Sequence, residues 1–450
     1  MSKPKPQVIE DEEHQRVFER VAAIDVAKAS GMVCVRLPGR DGRPRASKVW
    51  EVQAMTSAIS DLGRRLLSDR VQMVTLEATS DYWRIFYYLL EALGLAVQLV
   101  SPAQARQLKG RPKTDKHDAM WLARLTEWGM LRPCFVPSAP IRALRDYTRA
   151  RTDYVRERTR CYQRLEKLLE GALIKLSSVA SKLTTESAKD MVRAMIAGER
   201  DPHVLASLAR TRMKAKHDAL VEALTGMFDA HHGELAQMEL DQAKFLDQKI
   251  TQLQARIRSS LAAIPGAQGV DADGTTGPAA GTGPDARVLP AAGRLAEIPG
   301  ISPDLAAAII AETGLDMTRF PTAAHLVSWA GLCPAANQSG PRTGHGKKKH
   351  GNAYLRGALG QAALGAARTG TFLGERYRRV ARRRGKAKAQ VAVARSILII
   401  IWHLLADPAA RYTDLGPDYV ASRTNRDKKI RNHVRQLQAL GLEVTLTPAA

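Results

Sequence analysis

A chain of 450 residues is too long for one ordinary domain and too short for more than about four. Its hydrophobic fraction of 45% excludes wholesale disorder. Lys and Arg outnumber Asp and Glu by 68 to 45, a net charge of +23; this excludes a generic metabolic enzyme as first reading and favours a polyanionic partner, nucleic acid before an anionic membrane.

Residues 1–19 carry no motif and read as an N-terminal extension. From 20 to 137, strands and helices alternate. Val21–Val26, Met32–Leu37 and Lys48–Val52 read as strands, the last two with the alternation of neighbouring antiparallel strands. Thr56–Leu67 reads as an amphipathic helix, Val71–Leu76 as a strand, Ser80–Leu93 as a helix and Ala96–Val100 as a fifth strand. A helix from Asp115 to Gly129 closes the unit. Three strands, a helix, a strand, a helix and a strand predict an α/β sandwich of RNase H-like order.

Residues 138–264 predict an all-α segment. Arg142–Leu173 and Pro202–Leu261 carry apolar residues at helical spacing between dense charges, which suits an extended antiparallel coiled-coil arm; a compact helical bundle is the alternative. Residues 265–292 are rich in Gly, Ala, Pro and Asp and read as a flexible linker. Residues 293–412 are mainly helical. They open with LAEIPGISPDLAAAIIAE, a helix-hairpin-helix pattern whose turn amides could meet phosphate oxygens. Helices follow at Ala323–Ala330, Gly351–Arg368, Glu375–Arg384 and Ala387–Ala406. The tail, 413–450, adds a helix at Arg426–Leu440 and a short strand at Glu443–Leu446. The fold class is therefore α/β plus all-α.

The longest apolar run, Ile397–Leu405, falls short of the ~20 residues of a spanning helix, so no membrane is expected. The N-terminal MSKPKPQVIEDEEHQ has no apolar core, and no signal peptide is expected. Cys34, Cys134, Cys161 and Cys333 form no C-x-x-C motif and read as buried thiols in a reducing cytoplasm.

Asp25 lies inside the first strand (AAIDVAK) and Glu77 at the end of the fourth (MVTLEAT). A carboxylate among apolar strand residues is costly unless paired or bound to a metal. In an RNase H-like sheet these two strands are neighbours. Asp115 and Asp118, in KTDKHDA, share one face of a helix start, where acidic residues also simply complement the dipole. Together the four carboxylates can converge on Mg²⁺ or Mn²⁺, which prefer hard oxygen ligands. Two such ions clamp the attacking and leaving oxygens of a phosphodiester exchange. His117 points about 100° away around the helix and reads as a neighbour rather than a ligand.

A second constellation is CPAANQSGPRTGHGKKKHGNAYLR. Ser339 lies in a glycine-rich stretch among Arg342, Lys347, Lys348, Lys349, Asn352 and Arg356. Amides and cations there could hold a phosphate beside a hydroxyl and favour its alkoxide. A basic loop with an incidental serine is the plainer reading, and no general base is evident. From Arg342 to Arg411 sixteen Lys or Arg stand against two acids, Glu375 and Asp407. Arg378, Arg379, Arg382, Arg383 and Arg384 concentrate this charge and suit a phosphate-backbone surface.

AAIDVAK, LEATSDYW, GRPKTDKHDAMWLA, LAEIPGIS and the stretch from GLCPAANQSG to GNAYLR, followed by the tail YTDLGPDYVASR, resemble in this order the transposases of the insertion-sequence-110 family, the bridge-RNA-guided DNA recombinases. The resemblance covers about residues 20–446. It implies that residues 20–137 are a RuvC-like domain with Asp25, Glu77, Asp115 and Asp118 as its DEDD metal tetrad. It implies that Ser339 is the nucleophile of a serine transposase domain and forms a phosphoserine link to DNA. It further implies donor and target double-stranded DNA, a structured noncoding RNA that reads sequence by base pairing, a homodimer or tetramer with composite sites, and a bacterial cytoplasmic, nucleoid-associated location. The segments 1–19 and 265–292 depart from the family pattern. The rival expectations are a RuvC-like structure-selective nuclease that uses metal-activated water, and a non-catalytic nucleic-acid-binding descendant.

Overall fold

The computed structural model describes residues 17–39, 45–78, 80–102, 114–270, 276–277, 289–333, 336–339, 342–345, 351–422 and 426–446. The chain divides into two compact units, one ending at Val136 and one starting at Pro137.

The first unit is built on a five-stranded sheet: β1 (Val21–Val26), β2 (Ser30–Leu37), β3 (Ala46–Gln53), β4 (Met73–Glu77) and β5 (Val97–Val100). Spatial order is β3-β2-β1-β4-β5. The hairpin-linked β1, β2 and β3 pair antiparallel, and β4 and β5 add to β1 in parallel. Parallel neighbours need crossovers. These are α1 (Thr56–Ser68) and α2 (Trp83–Ala92), which begins three residues later than the apolar pattern suggests.

Period-two alternation sends β1 side chains to opposite faces. Ala22, Ile24 and Val26 join Val74 and Leu76 in a core with Ile59, Leu62 and Leu66 of α1 and Phe86 and Leu90 of α2. Val21 and Ala23 join Cys34 and Val100 on the other face. There they meet Ala119, Leu122, Ala123 and Leu125 of α3 (Asp115–Glu127). A buried leucine such as Leu122 contributes about 2 kcal/mol of transfer free energy.

The second unit begins with α4 (Ala139–Gly171). Pro202–Leu261, whose apolar residues have helical spacing, is helical in several pieces. Residues 202–207, a 3₁₀ segment at 211–216 and α6 (His217–Leu224) precede a break, and only then does α7 (Ala230–Ala262) run unbroken. The break has local causes. Asp229 caps α7, and Gly226 passes so close to α4's end that a Cβ would lie 2.6 Å from the Ala172 carbonyl oxygen. With α5 (Glu186–Ile196), these short helices enclose an apolar cluster from Leu165 to Ala236 at one end of the long pair.

α4 and α7 have 33 residues each, about 50 Å of helix. They run antiparallel. Arg158 meets Asp247, Arg164 meets Glu239 at 2.6 Å, and Cys161 packs with Ala243 and Leu246 between them.

The remainder is α8 (Ala291–Ala296), α9 (Pro303–Thr313), α10 (Ala323–Trp329), a hairpin of β6 (Ala336–Ser339) and β7 (Arg342–His345), then α11 (Ala353–Ala366), α12 (Phe372–Arg384), α13 (Lys386–Ala406) and α14 (Arg426–Ala439). Among the described residues, α13 alone is long and apolar enough to cross a bilayer. Its apolar residues Val393, Ile397, Leu398, Ile401 and Leu404 are buried, and it packs against α8, α10, α11 and α12, so it serves as a core helix. The expected strand at Glu443–Leu446 is absent, since those residues carry no ladder partner among the described residues. Of the expected linker, 265–267 form a 3₁₀ turn, and 269–270 pair with 276–277.

Candidate functional site

Ile24 of β1 pairs with Leu76 of β4 in a parallel ladder. One register step further brings Asp25 beside Glu77, with backbones about 5 Å apart. Alternation puts both on the α3 face, because Ala23 and Thr75, two residues earlier, already face α3. Asp25 is half-buried between Ile24 and Val26, which are 0% and 3% exposed.

α3 is positioned by a buried polar contact. The hydroxyls of Thr126 and Thr75 lie 2.7 Å apart, and Thr75 stands opposite Ala23 in the ladder. From that point the strands climb two residues to Asp25 and Glu77, about 7 Å. The helix climbs eight residues to Asp118, about 12 Å. Asp118 therefore falls about one helical turn beyond the two strand carboxylates. It continues the stripe of Leu122 and Leu125 that faces the sheet. Its Oδ1 is shut off from solvent, while Asp115, a turn further out, is exposed. Asp25 and Glu77 thus stand side by side at one end of the sheet, with Asp118 about a helical turn beyond and Asp115 further out. These carboxylates offer hard oxygen donors for a divalent cation. Among the described residues, the three ligand atoms that lie within 4.8 Å of one another belong to Asp229, His231 and His232 instead.

His117 is engaged elsewhere. Its backbone N–H donates to the Thr114 hydroxyl at 3.4 Å, and its Nδ1 lies 2.6 Å from the same oxygen, so it belongs to the helix cap. At the helix's other end Glu127, 2% exposed, meets Arg36 at 2.6 Å and Arg45 at 3.0 Å. Sequence reasoning did not single out Glu127.

In the second unit, Ser339 ends β6 and pairs by backbone register with Arg342, the first residue of β7. A strand pair stands where the sequence suggests turns. The side chains of Ser339 and Arg342, and residues Lys347, Lys348 and Lys349 altogether, lie outside the described residues. Asn352, the next described residue of consequence, caps α11. Its Oδ1 accepts from Leu355 N–H at 3.0 Å, and its Nδ2 donates to Glu312. Glu312, 2% exposed, also receives Arg149 through both carboxylate oxygens at 2.7 and 2.8 Å. Arg145 donates to the carbonyls of Ala311 and Glu312. This buried knot ties the base of α4 to α9 and to the start of α11, and no sequence motif announces it.

The basic residues differ in their commitments. Arg378 is tied to Glu375 at 2.9 Å and to the Thr369 carbonyl at 3.1 Å, so its charge is partly spent inside the protein. Arg382, Arg383 and Arg384 are exposed on the last turn of α12, and Arg356 is half-buried on α11. The turn between α8 and α9 is packed inward. Gly300 has φ +91°, and a Cβ there would sit 2.2 Å from the Ala362 carbonyl oxygen of α11. Ser302 caps α9, and Asp304 in its first turn meets Arg151 at 3.2 Å. A separate group, Asp229, His231 and His232, could hold a metal by proximity. Its carboxylate is already occupied by both imidazoles at 2.6 Å and by the α7 cap.

Two family models match the chain. One, a DEDD-type IS110 model described as a transposase, covers residues 22–174. The other, described as the transposase IS116/IS110/IS902 family, covers residues 292–378. Together they span more than half of the 450 residues. A Sinorhizobium fredii protein classed as a transposase, y4qE, is 32% identical over 139 residues, which is 30% of this chain and 35% of that protein. The match thus spans about a third of the relative's length.

Proposed function

Because the chain belongs to the IS116/IS110/IS902 transposase family, we propose that it cuts and exchanges DNA strands, using the carboxylates of the first unit and Ser339 of the second. The observation that supports the reading is the β1–β4 register, which sets Asp25 and Glu77 on neighbouring strands at one end of the sheet. The donor set fits a divalent cation of the magnesium class, since the ligands are carboxylate oxygens alone and hard donors favour such ions over zinc. When bound, the cation supplies Lewis-acid stabilisation of a phosphoryl oxygen.

Ser339 is the nucleophile in this proposal. Its oxygen bonds to phosphorus as the bond from phosphorus to the 3′ oxygen breaks. The serine proton passes to a nearby base or to solvent, and the 3′ oxygen departs as a hydroxyl. The DNA stays joined to the protein until a 3′-hydroxyl displaces the serine, so exchange needs no ATP. Arg342, placed opposite Ser339 by strand register, supports the reading by bringing a cation into the same short hairpin. The exposed Arg382, Arg383 and Arg384 provide backbone contacts. A structured noncoding RNA chooses the sites by base pairing, and tetrad and serine from different protomers of a dimer or tetramer complete the site.

The test is a strand-exchange assay with donor DNA, target DNA and RNA transcribed from the DNA flanking the gene. Wild type should act with Mg²⁺ and stop in EDTA, and Asp25→Asn should be inert while still shifting the RNA in a gel. An active Asp25→Asn protein would overturn the carboxylate assignment.

A further inference from the structure

α12 and α13 pack side by side as a hairpin about Gly385, whose φ of +84° turns the chain. Arg376 lies nine residues before that glycine and Arg395 ten after it. The antiparallel packing therefore sets the two at about the same height. Arg379 is three positions from Arg376 and shares its helical face. The charges of Arg379 and Arg395 both act on Arg376 there. Arg376 is half-buried, and its Nε is shut off from solvent with no hydrogen-bond partner among the described residues. The nearest acid on the helix, Glu375, is taken by Arg378 at 2.9 Å.

Electrostatics agrees with the geometry. Burial holds Arg376 below the ordinary arginine range, and Arg379 and Arg395 push in the same direction, with no carboxylate opposing them. Like charges so gathered repel, and a buried donor without an acceptor costs further. Both costs vanish when an anion with several oxygens enters. Guanidinium groups suit that role because their planar forks match phosphate oxygens.

We propose that Arg376, Arg379 and Arg395 form a seat for one backbone phosphate of a bound nucleic acid. The proposal rests on the transposase reading for its ligand and adds a contact point on the α12–α13 hairpin. Neither Arg379 nor Arg395 lies within the family-matched segment 292–378. The exposed run Arg382, Arg383 and Arg384 is what draws the eye in the sequence, whereas the seat is assembled across two helices.

The experiment measures binding of a 30-base-pair DNA duplex and of an RNA hairpin to the full chain between about 50 and 300 mM salt. The variants are Arg376→Gln and the surface change Arg395→Gln, which leaves the core untouched. Arg64→Gln, an exposed arginine already paired with Asp61, is the charge-matched control. Each seat variant should lose about fivefold in affinity near 0.1 M salt, and the salt slope should fall by about one. The double variant should lose no further slope, because one phosphate is involved. Removing a like charge should also raise the thermal midpoint of the unliganded protein by about 1 °C or more, a sign opposite to its effect on binding. Loss on the DNA probe, the RNA probe or both supports the seat and names its source. Unchanged affinity and slope on both, with wild type binding normally, overturn the seat and leave the transposase reading standing. If wild type binds neither probe, the transposase reading fails. The seat is then judged with inorganic phosphate, which must raise the wild-type midpoint but not that of Arg395→Gln.

Discussion

The hydroxyl of Thr126 lies 2.7 Å from that of Thr75, both fully buried, and this contact sets how far α3 extends past the carboxylates of the sheet. Thr75 also accepts from Gln98 Nε2 at 2.7 Å. Thr75→Val keeps the shape and removes the oxygen; Thr126 keeps its bond to the Leu122 carbonyl at 2.8 Å, and the half-buried Gln98 amide loses its acceptor. It should cost about 1 kcal/mol in urea denaturation. Strand exchange should fall as well, although Thr75 touches no substrate. Thr75→Ser should restore both. Full activity in a destabilised Thr75→Val protein would mean that Asp118 is not positioned by this contact.

Asp25 and Glu77, side by side on neighbouring strands, repel one another when no cation is present. Mg²⁺ should therefore raise the thermal midpoint of the wild-type protein. Asp25→Asn should raise the midpoint in EDTA and abolish the response to Mg²⁺. A variant that responds to Mg²⁺ as wild type does would remove Asp25 from the ligand set. This readout does not depend on activity.

Much of the first unit was legible in the sequence: β1 and β4 are buried on both faces and read as apolar runs, while β2 and β3 read by their alternation. β1 falls at Val21–Val26 as the pattern suggests, and Asp25 stands out within it. The second unit was harder. The run from Pro202 to Leu261 looks helical throughout, since apolar spacing does not register the Gly226 approach or the Asp229 cap. The knot around Glu312 was illegible for another reason: Arg145, Arg149 and Asn352 are far from it in the chain, so only tertiary packing brings them together. The IPGIS turn suggested phosphate binding, yet Gly300 is needed for the close approach to α11.

Glu312 provides a test of that knot. It is a buried acid facing Arg149 at 2.7 Å and Arg145 at 3.4 Å. Glu312→Ala leaves the partly buried Arg149 guanidinium and the Asn352 amide without their acceptor, while Arg145 keeps the carbonyls of residues 311 and 312. The expected cost is about 3–5 kcal/mol, the range for a broken buried pair. Thermal unfolding should show it. Glu312→Gln should recover part of the loss through the surviving hydrogen bonds. A neutral Glu312→Ala change would show that the knot contributes nothing to holding α4 against α9.

Cys34 gives a pH prediction. Burial pushes its thiol from 9.0 up to about 11, with Arg36 and Arg124 pulling in the opposite direction. The folded protein therefore keeps a proton that the unfolded chain releases between these values. The contribution to stability is complete below about pH 9 and declines as pH rises toward 11, by about 3 kcal/mol at most. Cys34→Ala should flatten the loss of stability over that range. At pH 8 the native thiol should react with iodoacetamide at least about 100-fold more slowly than in urea. Rapid labelling of the native protein at Cys34 would contradict its burial.

A substitution at Ser339 distinguishes the proposed strand exchange from plain hydrolysis. The register of β6 against β7 fixes its backbone opposite Arg342, so Ser339→Ala should leave the hairpin paired and the protein folded. It should still bind Mg²⁺, because the carboxylates lie in the other unit, and it should still bind nucleic acid through the arginines of α12. Cleavage and exchange should both vanish, by at least about 10³-fold, if Ser339 supplies the oxygen that joins phosphorus as proposed. Wild-type reactions quenched in denaturant should contain DNA that migrates with the protein and is released by protease digestion. If Ser339→Ala still cuts at the wild-type position and leaves free ends, water is the nucleophile. The protein would then be a metal-dependent nuclease whose carboxylates suffice for the chemistry.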